Sequence, residues 1–405
     1  MTTARFNTIP AAPLDPIIRL WEAVTRDPRP EKLNLVLGVY TDENGKVPRL
    51  QAVQEAERRW VAQGLPKTYR PIEGSKAYTA AVQQLLFGDD SEVLRAGRAT
   101  TLQSVGGTGA LKIGADVLSH LLPGAQVAVS NPSWENHRSL FTEAGFQVVD
   151  YPYYTPGKAG VQFDAMKDFL ATLPPGSIVV LHACCHNPTG NDLSPAQWRE
   201  LVPLLVQREL VPFVDLAYQG FGDGIAADGL AVQLFAETGC EFFIASSFSK
   251  SFSLYGERVG ALTAVARDAA GKAAVEGLAK RLVRTNYSNP PTHGAMLVET
   301  VLGTPELRQA WEAELGHMRE RIRGMRQRLV AGLNARVPGR DFGFISEQKG
   351  MFSYSGLTAA EVDRLQREYA IFAVDTGRIC VAALNDHNID RVIEAISDVV
   401  SPVEA

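Results

Sequence analysis

Between residues 99 and 266 short β-rich apolar runs alternate with helical patterns, and this rhythm constrains the fold more than any other feature of the chain. Runs suited to strands lie at 126–130, 147–151, 178–182, 211–215, 241–246 and 259–265. Amphipathic segments at 135–144 and 195–208 fall between some of them. Ser133 stands before the first as a cap-like residue, and Ser194-Pro195 opens the second. Such alternation predicts an α/β unit around a mainly parallel sheet. Ligands of these sheets bind beyond the carboxyl ends of the strands, so unusual residues that follow strands are the candidates for chemistry.

After about Pro305 the pattern changes. A long charged helix is expected over 305–336, short strands around 341–346, 350–354 and 378–381, and helices at 358–369 and 388–400. This reads as a second, α+β domain, and 405 residues exceed one ordinary core. A net charge of −5 implies no general polyanion-binding surface, so no nucleic-acid partner is expected. No window approaches the ~18 apolar residues of a membrane span, and residues 1–16 show no signal-peptide pattern. Four cysteines in so long a chain read as reduced thiols of a cytoplasmic protein.

Five segments carry the candidate chemistry. Lys250 sits in Ser246-Ser247-Phe248-Ser249-Lys250-Ser251-Phe252, just after an apolar strand. Partial burial would lower its pKa and make its amine a nucleophile of the Schiff-base type; the alternative is a surface lysine in a serine-rich loop. Gly106-Gly107-Thr108-Gly109 follows the strand-like 99–104 and opens a helix, which suits a phosphate at the positive helix end or a plain tight turn. It matches neither the P-loop nor the dinucleotide pattern, because Lys112 stands where the third glycine of the latter belongs. Asp215 ends an apolar strand, where a carboxylate needs a cationic partner such as a protonated pyridine nitrogen, unless it is a turn or N-cap residue. In His182-Ala183-Cys184-Cys185-His186-Asn187-Pro188-Thr189-Gly190 two His and two Cys invite a zinc reading. The spacing is poor for it: on a strand Cys185 would point away from the face shared by His182, Cys184 and His186, so no metal is expected. Asn187 could face a ligand at the strand end. Arg378, leading into an apolar run, suggests a carboxylate clamp or an edge-strand surface residue, and Arg284 raises the same question.

Taken in order, these segments resemble the class I aminotransferases of fold type I, specifically the aspartate and aromatic-amino-acid aminotransferases. The resemblance runs through GVYTDENGK (38–46), TYRPIEG (68–74), GGTGALKIGAD (106–116), NPSWENH (131–137), HNPTG (186–190), DLAYQGF (215–221), SSFSKSFSLYGERVG (246–260), NYSNPPTHGA (286–295), GMFSYSGL (350–357) and GRICVA (377–382). It implies a pyridoxal 5′-phosphate cofactor and a ping-pong transaminase moving amino groups between aspartate, tyrosine or phenylalanine and 2-oxoglutarate. A lyase or decarboxylase on the same fold is the alternative. It implies that Lys250 binds the cofactor covalently and shuttles the proton. Asp215, backed by His137, would pair with the pyridine nitrogen, Tyr218 and Asn187 would hold the ring oxygen, and Trp134 would stack on the ring. Gly107, Thr108, Ser247 and Arg258 would hold the phosphate, joined by Tyr69 of a neighbouring subunit. Arg378 would clamp the substrate α-carboxylate beside Gly38, Trp134 and Asn187, and Arg284 would reach a distal carboxylate across the interface of a homodimer. The implied organisation is an N-terminal arm over 1–14, a small domain over 15–44 and 305–405, and a large cofactor-binding domain over 45–304. The loop 383–387 and Tyr354 fall where members of the family differ, and could favour aromatic substrates.

Overall fold

The computed structural model describes residues 16–401, so the expected arm over 1–14 lies outside the described residues. Its centre is a seven-stranded sheet. In chain order the strands are β1 (Ala99–Val105), β2 (Gln126–Asn131), β3 (Gln147–Pro152), β4 (Ile178–His182), β5 (Val211–Leu216), β6 (Phe242–Ser247) and β7 (Val259–Val265). They lie in the order β1-β7-β6-β5-β4-β2-β3. All pairings are parallel except those of β7, which runs antiparallel to β1 and β6.

Burial on both faces explains why the central strands read as continuous apolar runs. Every residue of β4 is buried, and alternate residues serve opposite cores. Ile178, Val180, Phe213 and Phe243 pack with Leu111, Ala115 and Leu118 of the helix Gly106–Leu121. Val179, Leu181, Val214 and Ile244 face Leu201 and Leu205 of the helix Pro195–Gln207 on the other side. That second helix starts as expected, with a capping box in which the Ser194 hydroxyl accepts the Gln197 N–H at 3.2 Å.

The C-terminal elements follow the sequence reading with one change of type. The helix Pro305–Arg336 forms over its full expected length and buries Leu307, Trp311, Leu315, Met318, Ile322, Met325, Leu329 and Leu333, a stripe at helical spacing. Residues 341–346 do not make a strand. Asp341 accepts the Gly343 N–H at 2.7 Å, which turns the chain into a 3-10 helix at Gly343–Glu347. Phe352–Tyr354 pairs antiparallel with Arg378–Cys380. Leu33–Asn34 pairs parallel with Ile371–Phe372, so the two ends of the described chain meet. The helices Pro16–Arg26 and Ala269–Asn286 have no counterpart in the sequence reading.

Close approach of β7 to the loop after β1 depends on glycine. A Cβ on Gly260 would lie 2.5 Å from the carbonyl carbon of Gly106 and 2.6 Å from the Ser246 carbonyl oxygen, backbone on both sides. Gly260→Ala should therefore lower stability by about 2 kcal/mol. Gly277→Ala, where a Cβ meets nothing within 4 Å on the helix Ala269–Asn286, should raise it by roughly 0.5–1 kcal/mol. Thermal unfolding of the two variants checks this, and equal midpoints would contradict the packing described.

Candidate active site

Beyond the carboxyl ends of β4, β5 and β6 lies a cavity of about 230 Å³. It brings together Gly38, Gly107, Thr108, Trp134, Asn187, Asp215, Tyr218, Ser247, Lys250, Arg258 and Arg378, residues drawn from most of the chain. Tyr69 and Arg284 are elsewhere. Tyr69 is 92% exposed, and Arg284 is an exposed residue in the last turn of its helix whose Nη1 donates to Ser288 Oγ just beyond that helix. In a single chain neither reaches the cavity.

Lys250 follows the end of β6 at Ser247 and is carried inward by a turn. Among the described residues its Nζ has no hydrogen-bond partner, and it lies 4.8 Å over the centre of the Tyr218 ring. Burial, with a smaller contribution from the Arg258 charge, brings its ammonium down to about 8, against the pull of Asp215. The surface-lysine alternative therefore falls away.

Asp215 is buried at the carboxyl end of β5. Burial alone would raise its carboxyl, but the hydrogen bond with His137 and the nearby charge of Lys250 hold it below its ordinary value. It is no N-cap: Oδ2 lies 2.8 Å from His137 Nε2.

Behind that pair is a chain of rings that the sequence reading missed. Ser133 was expected to cap the helix Glu135–Glu143, yet Trp134 occupies the cap position and Ser133 Oγ lies 2.9 Å from His137 Nδ1 instead. The same oxygen lies 3.4 Å from His182 Nε2. Burial drives the His182 ring well below its usual pKa, so it is neutral, and its Nδ1 accepts the Asn187 N–H at 3.3 Å. The His182 proton must then sit on Nε2, facing Ser133 as an acceptor. Ser133 keeps its own O–H for His137 Nδ1, and the remaining N–H of His137 points at Asp215. One backbone amide thus sets the direction of hydrogen bonds that end on the carboxylate. The only hint in the sequence was the spacing of Ser133 and His137, one helical turn apart.

The rest of the 182–190 motif also differs from the strand picture. β4 stops at His182, and Cys185 takes a positive φ of 51°, so the facing expected along a strand does not hold. The Cys184 and Cys185 thiols lie within 4.8 Å of the Asp228 carboxylate, while the His182 and His186 rings lie 4.2 Å apart, tilted by 38° to each other. Asp228 already accepts the N–H groups of Gly220, Gly222 and Asp223. Burial also raises Cys185 to about 12, which disfavours the thiolate that a metal needs.

At one end of the cavity the helix Gly106–Leu121 begins with Gly107 and Thr108 facing Ser247 and Arg258. A Cβ on Gly107 would come within 3.0 Å of the Ser247 side chain, and one on Gly106 would collide with the Arg258 guanidinium. Arg258 donates to Ser249 Oγ at 3.2 Å and to the Tyr255 carbonyl at 3.0 Å, with no carboxylate partner among the described residues. Helix end, hydroxyls and free guanidinium form a cradle shaped for a phosphate.

At the other end Arg378 is buried. It donates to Asn187 Oδ1 at 3.1 Å and to the Val36 carbonyl at 2.9 Å, and its guanidinium lies 4.4 Å over the Phe352 ring. Its Nε is buried and unpartnered. A cation held by neutral groups with a donor to spare is a ready site for a carboxylate, and the edge-surface alternative is excluded. Gly38 is necessary beside it, because a Cβ there would fall 2.5 Å from the Phe352 ring.

Residues 30–396 match the sequence profile of the family described as aminotransferase class I and II. An aspartate aminotransferase of Pseudomonas aeruginosa is 56% identical over 394 residues, covering 97% of this chain and 99% of the relative. The aromatic-amino-acid aminotransferase of Escherichia coli is 47% identical over 395 residues, covering 97% and 100%. Among solved structures, the aromatic-amino-acid aminotransferase of Burkholderia pseudomallei, covalently bound to pyridoxal phosphate, superimposes with a TM-score of 0.96 at 58% identity, covering 98% of this chain and all of that one.

Two measurements check the geometry. With nothing attached to Lys250, its labelling by an amine-directed reagent should rise and level off around pH 8, while ordinary exposed lysines keep rising toward about 10.4. A Lys250 profile parallel to theirs would contradict its burial. In ¹⁵N-histidine spectra the His182 ring should be neutral with its proton on Nε2; a proton on Nδ1 would break the chain of hydrogen bonds described.

Proposed function

The chain belongs to the class I and II aminotransferases, and from that we infer that it is a pyridoxal-phosphate-dependent transaminase of amino acids and 2-oxo acids, with aspartate and the aromatic amino acids as donors. The observation that carries this reading is the half-buried amine of Lys250, free of hydrogen bonds among the described residues and lowered to about 8, in one cavity with a phosphate cradle and a carboxylate-ready arginine.

The residues present fit the cofactor. A phosphate suits the cradle of Gly107, Thr108, Ser247 and Arg258, whose glycines leave room that a Cβ would fill. A protonated ring nitrogen suits Asp215, which His137 keeps anionic. When bound, pyridoxal phosphate supplies an electrophilic carbon that captures amines and a ring that draws electron density from a substrate bond. Trp134 would cover the ring, while Tyr218 and Asn187 would bind its ring oxygen. Arg378, beside Gly38, would hold the substrate α-carboxylate and so orient the Cα–H bond. The Lys250 amine, deprotonated once its pKa is brought near neutral, would take that proton on Nζ and return it.

Tyr69 and Arg284 are assigned to the site of a second copy of this chain, Tyr69 to the phosphate and Arg284 to a distal substrate carboxylate. Their exposure and distance from the cavity of their own chain support a homodimer with shared sites. We also propose the two-domain division 15–44 with 305–405 against 45–304, supported by the pairing of Leu33–Asn34 with Ile371–Phe372. Among the described residues no helix is long and apolar enough to cross a membrane. Cytoplasmic residence is our reading of four free thiols.

Mixing the purified protein with aspartate, tyrosine or phenylalanine should convert its visible absorbance to that of the aminated cofactor, and Lys250→Ala should slow turnover by at least about 10²–10⁴-fold. A spectrum indifferent to every amino acid would overturn the reading. Arg284→Ala should cut kcat/KM for aspartate and 2-oxoglutarate by roughly 10–100-fold, the worth of a charge-assisted bond, and spare tyrosine. Equal losses on both substrate classes would reject the role given to Arg284.

A further inference from the structure

Behind the active site a second cavity of about 180 Å³ lies between the helix Pro305–Arg336, the loop after Tyr218 and the segment leading to Phe352–Tyr354. Four cations line it, Arg319, Arg323, Arg326 and Lys349, against two carboxylates, Asp223 and Glu347. Arg326 is the unusual member. It is 4% exposed, and no carboxylate pairs with it among the described residues. Its Nε donates to Ser353 Oγ and its Nη2 to the carbonyls of Gly350 and Phe352, while Nη1 has no hydrogen bond to a described residue. Burial lowers its pKa to about 10, a measure of how poorly the guanidinium charge is compensated. Arg319 donates to the Gly220 carbonyl at 2.9 Å and lies 3.5 Å from Glu320, Arg323 pairs with Glu320 at 3.1 Å and with Asp223 at 3.5 Å, and Lys349 pairs with Asp223 at the mouth.

We propose that this cavity is a binding site for a small oxyanion of the hydrogen-phosphate type, separate from the catalytic cradle. A dianion there would compensate Arg326, the charge that the fold leaves bare, and would be gripped by Arg319, Arg323 and Lys349. The site touches the substrate arginine through the backbone: Arg326 holds the Phe352 carbonyl, and the Phe352 ring lies against Arg378.

Orthophosphate titrated into the holoenzyme, whose catalytic phosphate cradle is filled, tests this by calorimetry and by thermal shift at constant ionic strength. Saturable binding is expected. The double variant Arg323→Gln/Lys349→Gln should weaken phosphate by at least about tenfold. Asp223→Asn, which removes one of the carboxylates competing for these cations, should tighten it several-fold. Both changes are at half-exposed positions, so the variants should fold, as their thermal midpoints without phosphate will show. No saturable binding, or one affinity across all three proteins, would overturn the proposal. Loss of binding in Arg258→Gln with the double variant unaffected would place the anion in the catalytic cradle and overturn it equally.

Discussion

The 2.8 Å hydrogen bond between His137 Nε2 and Asp215 Oδ2 holds a negative charge at one of the driest places in the molecule. Taking a carboxylate out of water costs several kcal/mol unless its partners are well placed. Much of the surrounding structure can be understood as supplying those partners. Ser133 and His182 orient His137, the Asn187 amide orients His182, and Lys250 comes close enough for its charge to be felt by the same carboxylate. The interaction cuts both ways. Asp215 raises the amine that burial lowers, and the balance near 8 leaves Lys250 able to act as base or acid close to neutral pH.

The sheet makes this arrangement possible at small cost in local structure. Parallel strands end together, so residues far apart in sequence such as His182, Asp215 and Ser247 arrive at one edge without strain. Each end of the cavity then uses a different device for a different anion. The cradle at Gly107 relies on a helix end and the close approach that glycine permits. The clamp at Arg378 relies on a guanidinium held by neutral groups, so that its charge stays available. Such sites gain from ligands what they forgo in internal pairing.

Most of the fold was legible because buried parallel strands leave apolar runs of characteristic length, and most of the site because its residues directly follow those runs. The failures have specific causes. Ser133 before a helix looks the same in sequence whether it caps the helix or orients a ring, and here the His137 Nδ1 outcompetes the backbone N–H groups. The stretch 341–346 has strand-like composition, but Asp341 binds the Gly343 amide and starts a turn first. Facing along 182–186 was inferred from strand alternation, and the positive φ of Cys185 abolishes it. Tyr69 stood out only through resemblance, and Arg284 otherwise only as a second arginine open to a clamp or a surface reading, since no geometry within one chain brings them to the cavity.

The pairing of Leu33–Asn34 with Ile371–Phe372 has a consequence for how the protein is made. The Val36 carbonyl that receives Arg378 is 342 residues away from it in sequence. At a synthesis rate of about 5–20 residues per second, the early segment waits roughly 20–70 s on the ribosome before its partner exists. The central sheet, complete by Val265, can form during that interval, but the arginine clamp cannot. A nascent or truncated chain can therefore complete the cradle at Gly107 well before the Arg378 guanidinium meets its acceptor at Val36.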